Sequence, residues 1–246
     1  ALPVTVALER ILSQVSPIRD TETLPLKRAL GRVLAADLIS PINVPASDNS
    51  AMDGYALRSA DLNSDQAVTL RIIGHALAGH AYRGTVQAGE CVRIMTGAVI
   101  PADCDCVLPQ ELAEAASAVE VTLPSRSAKA GENLRRAGED IAQGQAALAR
   151  GRVLTPADIG LIASLGIAEI TVMRKLRVAH FSTGDELRSA GQPLDEGSVY
   201  DSNRYTLHGM LMRIGFEPID LGLIKDDPAS IETAFMQACE QADAII

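Results

Sequence analysis

Apolar residues near the N-terminus recur at the spacing of a helix. They predict a helix over residues 5–15, with Thr5 as the N-cap and Pro17 as the stop. The face expected to be buried consists of Val6, Leu8, Ile11, Leu12 and Val15. Between residues 24 and 39, short apolar runs flank Gly31, which predicts a strand, a turn of helix and a second strand.

The pattern changes between residues 46 and 140. Short β-rich runs are separated there by Gly, Pro and Asp, an arrangement typical of a small β-barrel or sandwich. The runs cover residues 68–73, 91–95, 106–108 and 119–123.

A well-marked helix follows this β-rich stretch. Thr155 is expected at its N-cap and Pro156 at its first position, and Gly166 closes it. The helix has three apolar residues to bury, which are Ile159, Ile162 and Leu165. It is therefore able to pack back on the N-terminal segment.

Beyond residue 174, apolar runs alternate with helical patterns. The runs 178–181, 218–224 and 244–246 indicate strands, and helices are predicted over 203–214 and from Asp227 onward. Continuous apolar strands joined by helices predict a parallel, doubly wound sheet. In the helix predicted over 203–214, we expect four residues to face inward: Leu207, Met210, Leu211 and Ile214. Because the last strand stops in mid-run, we expect a longer parent protein.

Composition indicates a globular protein and argues against some classes of partner. The 246 residues are 47% hydrophobic, which suffices for one large or two to three smaller cored domains. The 31 acidic and 22 basic residues give a net charge of -9, which argues against nucleic acid or an anionic membrane as a partner. An anionic ligand would need local basic clusters. The sequence offers two, Arg135 with Arg136, and Arg174 with Lys175 and Arg177, although surface charge runs are usually only solvated.

Cysteine usage and hydropathy point to a reducing compartment. The four cysteines show no C-x-x-C pair, so neither a zinc site nor a disulfide framework is expected from Cys91, Cys104, Cys106 and Cys239. No apolar run approaches the roughly 20 residues that span a bilayer, and no signal-peptide pattern opens the chain. A cytoplasmic protein is predicted. Ala1 in place of Met suggests a trimmed or renumbered N-terminus.

The loop at residues 45–56 is dense in turn-forming residues. Its Asn, Ser and Asp side chains bond nearby backbone, and Gly54 is able to adopt positive φ, so Asp53 is expected on a shaped turn. A held carboxylate is suited to chemistry. The alternative, an ordinary Asx turn closing a hairpin, is the better reading for a lone Asp-Gly pair.

Two further groups lie on the β-rich stretch. Thr96 and Gly97 offer a hydroxyl and approachable backbone to an oxyanion, or else form a plain turn at a strand end. Arg135 and Asp140 lie in a Gly-rich loop, where a surface ion pair is the simpler interpretation.

The turn at residues 182–186 is expected at the carboxyl end of the first parallel strand, where open α/β sheets bind ligands. Ser182, Thr183 and Gly184 suit a phosphate, while Asp185 and Glu186 suit hydrated Mg²⁺, ribose or a pterin. Helix capping by Ser182 or Asp185 is the alternative, and we favour function over it.

For the other polar residues at this edge of the sheet, the sequence allows either a helix-capping role or a role in ligand binding or catalysis. Asp227 is predicted to cap the next helix, which leaves the Asp226 carboxylate free. For Asp226 the sequence favours a functional role and a purely structural role equally. For Asp201 and Asn203, capping is the main expected role and ligand contact a secondary one. No metal spacing includes a histidine, so no role is assigned to His75, His80, His180 and His208, and His180 is read as a strand residue.

Five motifs occur in a fixed order along essentially the full chain. They are DNSAMDGYA at 48–56, RIMTGA at 93–98, NLRRAGED at 133–140, FSTGDEL at 181–187 and YDSNR at 200–204. Together they resemble the N-terminal part of the molybdopterin molybdenumtransferases, the MoeA and gephyrin E-domain family.

The resemblance implies a multidomain fold, α/β plus β. Residues 1–45 and 141–174 would form a discontinuous elongated domain, and residues 46–140 an inserted β-barrel-like domain. Residues 175–246 would be the first part of a doubly wound, molybdopterin-binding-like domain, truncated at the chain end.

The resemblance also implies an enzyme of molybdenum cofactor biosynthesis. It would insert molybdate into adenylylated molybdopterin with Mg²⁺ and release AMP, and it would act as a homodimer with sites shared between subunits. Motif positions give the catalytic candidates Asp53, Thr96, Arg135, Asp140, Glu186 and Asp226. Of these, Glu186 and Asp226 are the metal candidates. The substrate-binding candidates are Ser182, Thr183, Gly184, Asp185, Asp201 and Asn203.

Two alternatives to this enzyme stay open from the sequence. One is a scaffold or interaction module like the gephyrin relatives, and the other is a nucleotide-binding domain without transfer activity. Acids at every motif position favour the enzyme. In the family, a Gly-Gly-Val-Ser segment, a metal-binding acid, basic residues and a last β-barrel follow the point where this chain stops, so the 246 residues alone are expected to be inactive.

Overall fold

The computed structural model describes residues 2–246, which divide into two compact units. One unit is Leu38–Ala147, and the other combines the residues up to Asp37 with Leu148–Ile246. The helices are α1 (Val4–Gln14), α2 (Pro156–Ser164), α3 (Ser202–Arg213) and α4 (Pro228–Gln241). Across residues 2–246, no helix has the length and hydropathy needed to cross a bilayer.

Seventeen strands and three short 3₁₀ turns complete the described chain. In chain order the strands are β1 (Thr21–Pro25), β2 (Leu38–Ile39), β3 (Asn49–Ser50), β4 (Gly54–Leu57), β5 (Val68–Ala76), β6 (Glu90–Ile94), β7 (Cys106–Pro109), β8 (Ala115–Ala116), β9 (Glu120–Leu123), β10 (Leu134–Arg135), β11 (Ala146–Leu148), β12 (Glu169–Met173), β13 (Arg177–Thr183), β14 (Leu187–Arg188), β15 (Val199–Tyr200), β16 (Glu217–Ile224) and β17 (Ala244–Ile245).

The continuous unit is built on a six-stranded sheet in the order β7-β4-β6-β5-β9-β8. Strand alternation places Tyr55 and Leu57 in one buried cluster and Ala56 in another, so both faces of β4 are covered. The predicted β-rich runs are confirmed as β5, β6, β7 and β9. In hydrogen-bonding terms the sheet is open, with β7 and β8 at its edges, where the sequence suggests a barrel.

In the discontinuous unit, β1 pairs antiparallel with β12 and α2 follows the predicted boundaries. A reciprocal capping box forms because the Thr155 hydroxyl accepts from the Asp158 backbone N–H at 3.3 Å while the Asp158 carboxylate accepts from the Thr155 N–H at 2.9 Å. Ile162 and Leu165 are buried as expected. The predicted cap, first residue and stop of this helix are confirmed.

The N-terminal helix begins earlier than predicted. The Pro3 carbonyl accepts the first helical hydrogen bond from Ala7 at 3.0 Å, so α1 starts at Val4 and Pro3, not Thr5, is its N-cap residue. The Thr5 prediction is therefore wrong. Every residue of α1 is at least partly exposed, including Leu8 and Ile11 on its predicted inner face.

The C-terminal part of the discontinuous unit contains the predicted parallel sheet. Strand β13 is central, with β16 and β17 parallel on either side. Phe181 of β13 meets Phe235 of α4 at a ring-centroid distance of 5.3 Å, whereas its neighbour His180 meets His208 of α3 at 5.6 Å. Because successive strand residues point to opposite faces, α3 and α4 cover opposite faces of the sheet.

The inward face of α3 differs from the prediction. Met210 and Ile214 are 58% and 62% exposed, while Leu211 and the charged Arg204 are buried. Arg204 is able to lie inward because two aspartates neutralise it. Leu211 is buried and Leu207 half-buried as predicted, so the apolar residues identified the buried side of α3 only in part.

Candidate functional site

Backbone hydrogen bonds hold the loop at residues 48–53 from two sides. The Ser50 carbonyl accepts from the Gly97 N–H at 2.8 Å, and the Ala51 N–H donates to the Asn133 carbonyl at 3.0 Å. Strand β3 also pairs with β10. The loop is thus fixed between the segments that contain Thr96 and Arg135.

Asp53 is the carboxylate presented by this loop. Its Oδ1 accepts from both the backbone N–H and the hydroxyl of Thr96, each at 2.7 Å. The backbone N–H of Thr96 is the main reason that the pKa of Asp53 lies below its ordinary value. Because the partner is 43 residues away, this contact is not a local Asx turn.

Gly54 is required for a reason other than the predicted positive φ. A Cβ built at Gly54 would stand 2.0 Å from the Leu108 carbonyl oxygen of neighbouring β7. The glycine therefore permits close approach of two strands directly after Asp53. Its own φ is not positive.

Arg135 and Asp140 are brought together as an ion pair at 2.6 Å, and Asp140 raises the pKa of Arg135. Both side chains are partly exposed, at 39% and 51%. Arg136 pairs with Asp48 at 2.6 Å. This arginine pair is thus matched by carboxylates rather than left free for an anion.

The two arginines of the second basic cluster are paired with carboxylates in the same way. Arg174 forms bonds of 2.6 and 2.8 Å with the two carboxylate oxygens of Asp243, and Arg177 lies 3.3 Å from the same carboxylate. Arg174 also lies 3.0 Å from Asp20. An anion site at Arg174 and Arg177 would therefore have to displace Asp243.

A cleft of about 500 Å³ opens at the carboxyl end of β13. Five predicted site residues line it, namely Ser182, Thr183, Glu186, Asp201 and Asn203. Three others, Gly184, Asp185 and Asp226, are not among its lining residues. Hydroxyls, carboxylates and the N-terminus of α3 therefore converge on one concave surface.

The turn at residues 184–186 leads into the short strand β14, which pairs with β15. The capping alternative for Ser182 and Asp185 is therefore wrong, because the next helix begins only at Ser202. Gly184 has φ of +150°, and a Cβ there would lie 2.9 Å from both carboxylate oxygens of Glu186. Glycine at this position lets the Glu186 carboxylate fold over the turn.

Asp201 is the N-cap of α3, as predicted, whereas Asn203 lies inside the helix and does not cap it, so the capping prediction is wrong for Asn203. Its buried carboxylate accepts from the Arg204 N–H at 3.2 Å, the Arg204 Nε at 2.9 Å and the Ser182 hydroxyl at 3.1 Å. Arg204 also donates to Asp220 on β16, at 2.6 and 2.8 Å. Sequence reasoning missed this buried network because Asp220 falls in no motif, although Arg204 is the last residue of the motif at 200–204.

Asp226 and Asp227 follow β16 with different roles. Asp227 caps α4 by accepting from the Ser230 N–H at 2.9 Å and the Ser230 hydroxyl at 2.7 Å, which confirms its prediction. Asp226 is exposed. Because Thr183 pairs with Ile224, Asp226 and the turn at residues 182–186 lie at the same sheet edge.

The described chain contains one group of three potential metal-ligating side chains that lie close together, and sequence spacing did not reveal it. One ligand atom from each of His180, His208 and Asp220 lies within 4.8 Å of the others. Burial lowers the pKa of His180, whose side chain is fully buried. The only sequence signal is a histidine inside an otherwise apolar strand.

Comparisons with known proteins agree with the resemblance. Residues 2–166 match the family model described as MoeA N-terminal region (domain I and II), and residues 179–246 match one described as probable molybdopterin binding domain. A molybdopterin molybdenumtransferase of Haemophilus influenzae is 45% identical over 240 residues, covering 98% of this chain and 59% of the relative. One from Nostoc sp. is 38% identical, covering 93% and 52%.

The fold is also similar to that of a solved moeA structure. The molybdopterin biosynthesis moeA protein from Pyrococcus horikoshii OT3 superposes with a TM-score of 0.91 at 30% sequence identity, covering 99% of this chain and 65% of that one. The chain thus spans 59% of the length of the Haemophilus relative and 52% of that of the Nostoc relative.

Proposed function

Because the chain belongs to the MoeA family, we propose that its parent protein inserts molybdate into adenylylated molybdopterin and releases AMP. This reaction belongs to molybdenum cofactor biosynthesis. The activity is proposed for a protein of the relatives' full length, and the 246 residues alone are expected to be inactive. The relatives' names favour a transferase over a scaffold or a nucleotide-binding domain without transfer activity.

The cleft at the end of β13 is the observation that carries the proposal. The Ser182 hydroxyl donates to Asp201, so its oxygen lines the cleft as an acceptor. Thr183 supplies a hydroxyl donor, and the N-terminus of α3 supplies backbone N–H groups at Ser202 and Asn203. These donors suit phosphate oxygens, because a helix N-terminus favours negative charge. A pterin phosphate or the AMP phosphate matches this polar surface better than an apolar ligand would.

The carboxylates at this edge fit Mg²⁺. Mg²⁺ in proteins keeps several waters and binds through one or two carboxylates, and both Glu186 and Asp226 are exposed to solvent. A bound Mg²⁺ would neutralise charge that develops on the phosphoanhydride. The chain's own part is to hold Glu186 beside Gly184, facing the cleft.

Residues of the Leu38–Ala147 unit are assigned to the same proposed reaction. Asp53, Thr96, Arg135 and Asp140 belong to the Leu38–Ala147 unit, and Glu186 and Asp226 belong to the discontinuous one. We assign all six to catalysis in a homodimer whose active sites combine residues of both subunits. Ser182, Thr183, Gly184, Asp185, Asp201 and Asn203 are assigned to substrate binding, and the enzyme to the cytoplasm.

Replacement of Glu186 tests the proposal. In the full-length enzyme, Glu186→Ala should lower molybdate-dependent AMP release by about 10²-fold or more, because the cleft loses its exposed carboxylate. The melting temperature should stay near that of wild type, since the side chain is exposed and leaves no cavity. The matched control is Glu196→Ala, an exposed glutamate in the same connection that does not line the cleft. Equal AMP release by both variants would contradict the proposal.

A further inference from the structure

His180 is a fully buried histidine without a hydrogen-bond partner. Its side chain is inaccessible to solvent, and neither Nδ1 nor Nε2 has a partner among the described residues. Buried polar atoms nearly always have a hydrogen-bond partner, and one left without a partner destabilises the fold. Because the described protein atoms bind neither ring nitrogen, both nitrogens are available to a ligand that is not part of the chain.

Three secondary-structure elements bring candidate groups to this histidine. His180 lies on β13 directly opposite Asp220 of the parallel strand β16, and His208 approaches from α3, which covers the same face. The ligand atoms of the three residues lie within 4.8 Å of one another. His208 Nδ1 is likewise buried without a partner. Two imidazoles with free nitrogens thus meet one carboxylate.

We propose that His180, His208 and Asp220 bind a divalent transition-metal ion, with Zn²⁺ as the best match. Imidazole nitrogen combined with carboxylate oxygen suits Zn²⁺ and its neighbours in the first transition row, whereas Mg²⁺ prefers oxygen alone. Three protein ligands leave a fourth position for water, and the Asp220 side chain is partly exposed to solvent. The ligand atoms lie within 4.8 Å of one another, and Zn–N bonds of about 2.0–2.1 Å require them to move closer together when the ion binds.

Arg204 is the main competitor for the Asp220 carboxylate. Asp220 accepts from Arg204 through both oxygens and from the Gly222 N–H through Oδ1. A carboxylate has about four lone-pair sites, so Oδ2 retains one that can face a metal. Arg204 also bonds Asp201, and the two aspartates together outweigh its charge by one unit. The local charge balance therefore favours a cation.

The proposed ion would hold α3 against the sheet. Its ligands come from β13, β16 and α3, and none of them lines the cleft at residues 182–203. The ion would therefore have a structural role, and its binding can be tested independently of the proposed reaction. Arg204 joins the two places, because it bonds both Asp220 and the cleft residue Asp201.

Metal titration of the chelator-treated protein tests this inference. We expect Zn²⁺ to bind at one ion per chain by calorimetry and to raise the melting temperature, and Co²⁺ to give the visible absorption of a tetrahedral site. His180→Leu and His208→Gln should each weaken binding by roughly two orders of magnitude. The matched control is the double variant His75→Gln/His80→Gln, because both of its histidines lie in the other unit, away from the proposed ligands.

Two results would overturn the inference. One is the absence of saturable Zn²⁺ binding, which would leave water as the partner of His180. The other is one-to-one binding that His180→Leu and His208→Gln leave unchanged. If His180→Leu fails to fold by circular dichroism, His208→Gln decides the question, because His208 is only half-buried.

Discussion

Among the single residues of the candidate site, Asp53 has a clearly fixed side chain, because its carboxylate accepts two hydrogen bonds from Thr96. Those bonds favour the ionised carboxylate and fix its direction. A carboxylate held in this way is preorganised for chemistry, because little ordering remains to be done when substrate binds.

Asp53→Asn separates the charge of this residue from its geometry. The asparagine oxygen can still accept from the Thr96 N–H, so the melting temperature should change little. The negative charge is lost, and cofactor formation by the full-length enzyme should fall by about 10²-fold or more. The control is Asp65→Asn, at a carboxylate that is 90% exposed. Parallel losses of stability and activity would instead make Asp53 a structural residue.

Single residues also show where sequence reasoning stops. A carboxylate on a shaped turn could be predicted at Asp53, but not its bond to Thr96, because that contact depends on how distant strands register. The meeting of His180 with His208 and Asp220 escaped for the same reason, since it depends on the order of parallel strands and on the rotation of α3.

At the scale of elements, local chemistry was the most predictable. The start and stop of α2 follow from Thr155, Pro156 and Gly166 because capping involves residues next to one another. Strands β5, β6, β7 and β9 followed from β-rich runs, whereas β4 begins at Gly54, inside the segment 45–56 that was predicted to be a loop. The buried side of α3 could be predicted only in part: Leu211 is buried as expected, but Met210 is exposed, and ion pairs with Asp201 and Asp220 allow Arg204 to lie inside.

The capping box of α2 gives a pH prediction. Arg152 and the Thr155 N–H lower the pKa of Asp158 to about 2 in the folded protein, below its ordinary value of 3.8. As pH falls, the unfolded chain takes up this proton first. The contribution of Asp158 to stability is therefore complete above the unfolded pKa and is lost as pH falls through about 2.

Urea unfolding between about pH 5 and pH 2 measures this effect. The free energy of unfolding of wild type should fall more steeply over that range than that of Asp158→Asn, which has no carboxylate to protonate. Identical slopes for the two proteins would mean that the ionised Asp158 contributes nothing to the folded state.

At the scale of the whole molecule, the sequence predicted three domains and the structure separates two compact units. The division into residues 1–45 with 141–174, 46–140 and 175–246 remains a prediction. Apolar patterns locate elements, but they do not specify which elements share a core, because that depends on long-range packing.

Subunit exchange tests the shared sites proposed for the dimer. Full-length Asp53→Ala and Glu186→Ala proteins should each be inactive, and mixing them should restore up to half of wild-type activity per heterodimer. In a heterodimer both substitutions fall in one composite site, and the other site keeps wild-type residues from each chain. If exchange is demonstrated and activity does not return, the two acids do not meet across a subunit boundary.

The most direct measurement of the central claim is the stoichiometry of AMP release by the full-length enzyme supplied with adenylylated molybdopterin and Mg²⁺. The account predicts that AMP appears only when molybdate is added, and that one AMP is released for each molybdenum found in the pterin product. AMP release that is independent of molybdate, or molybdenum insertion without AMP, would contradict it.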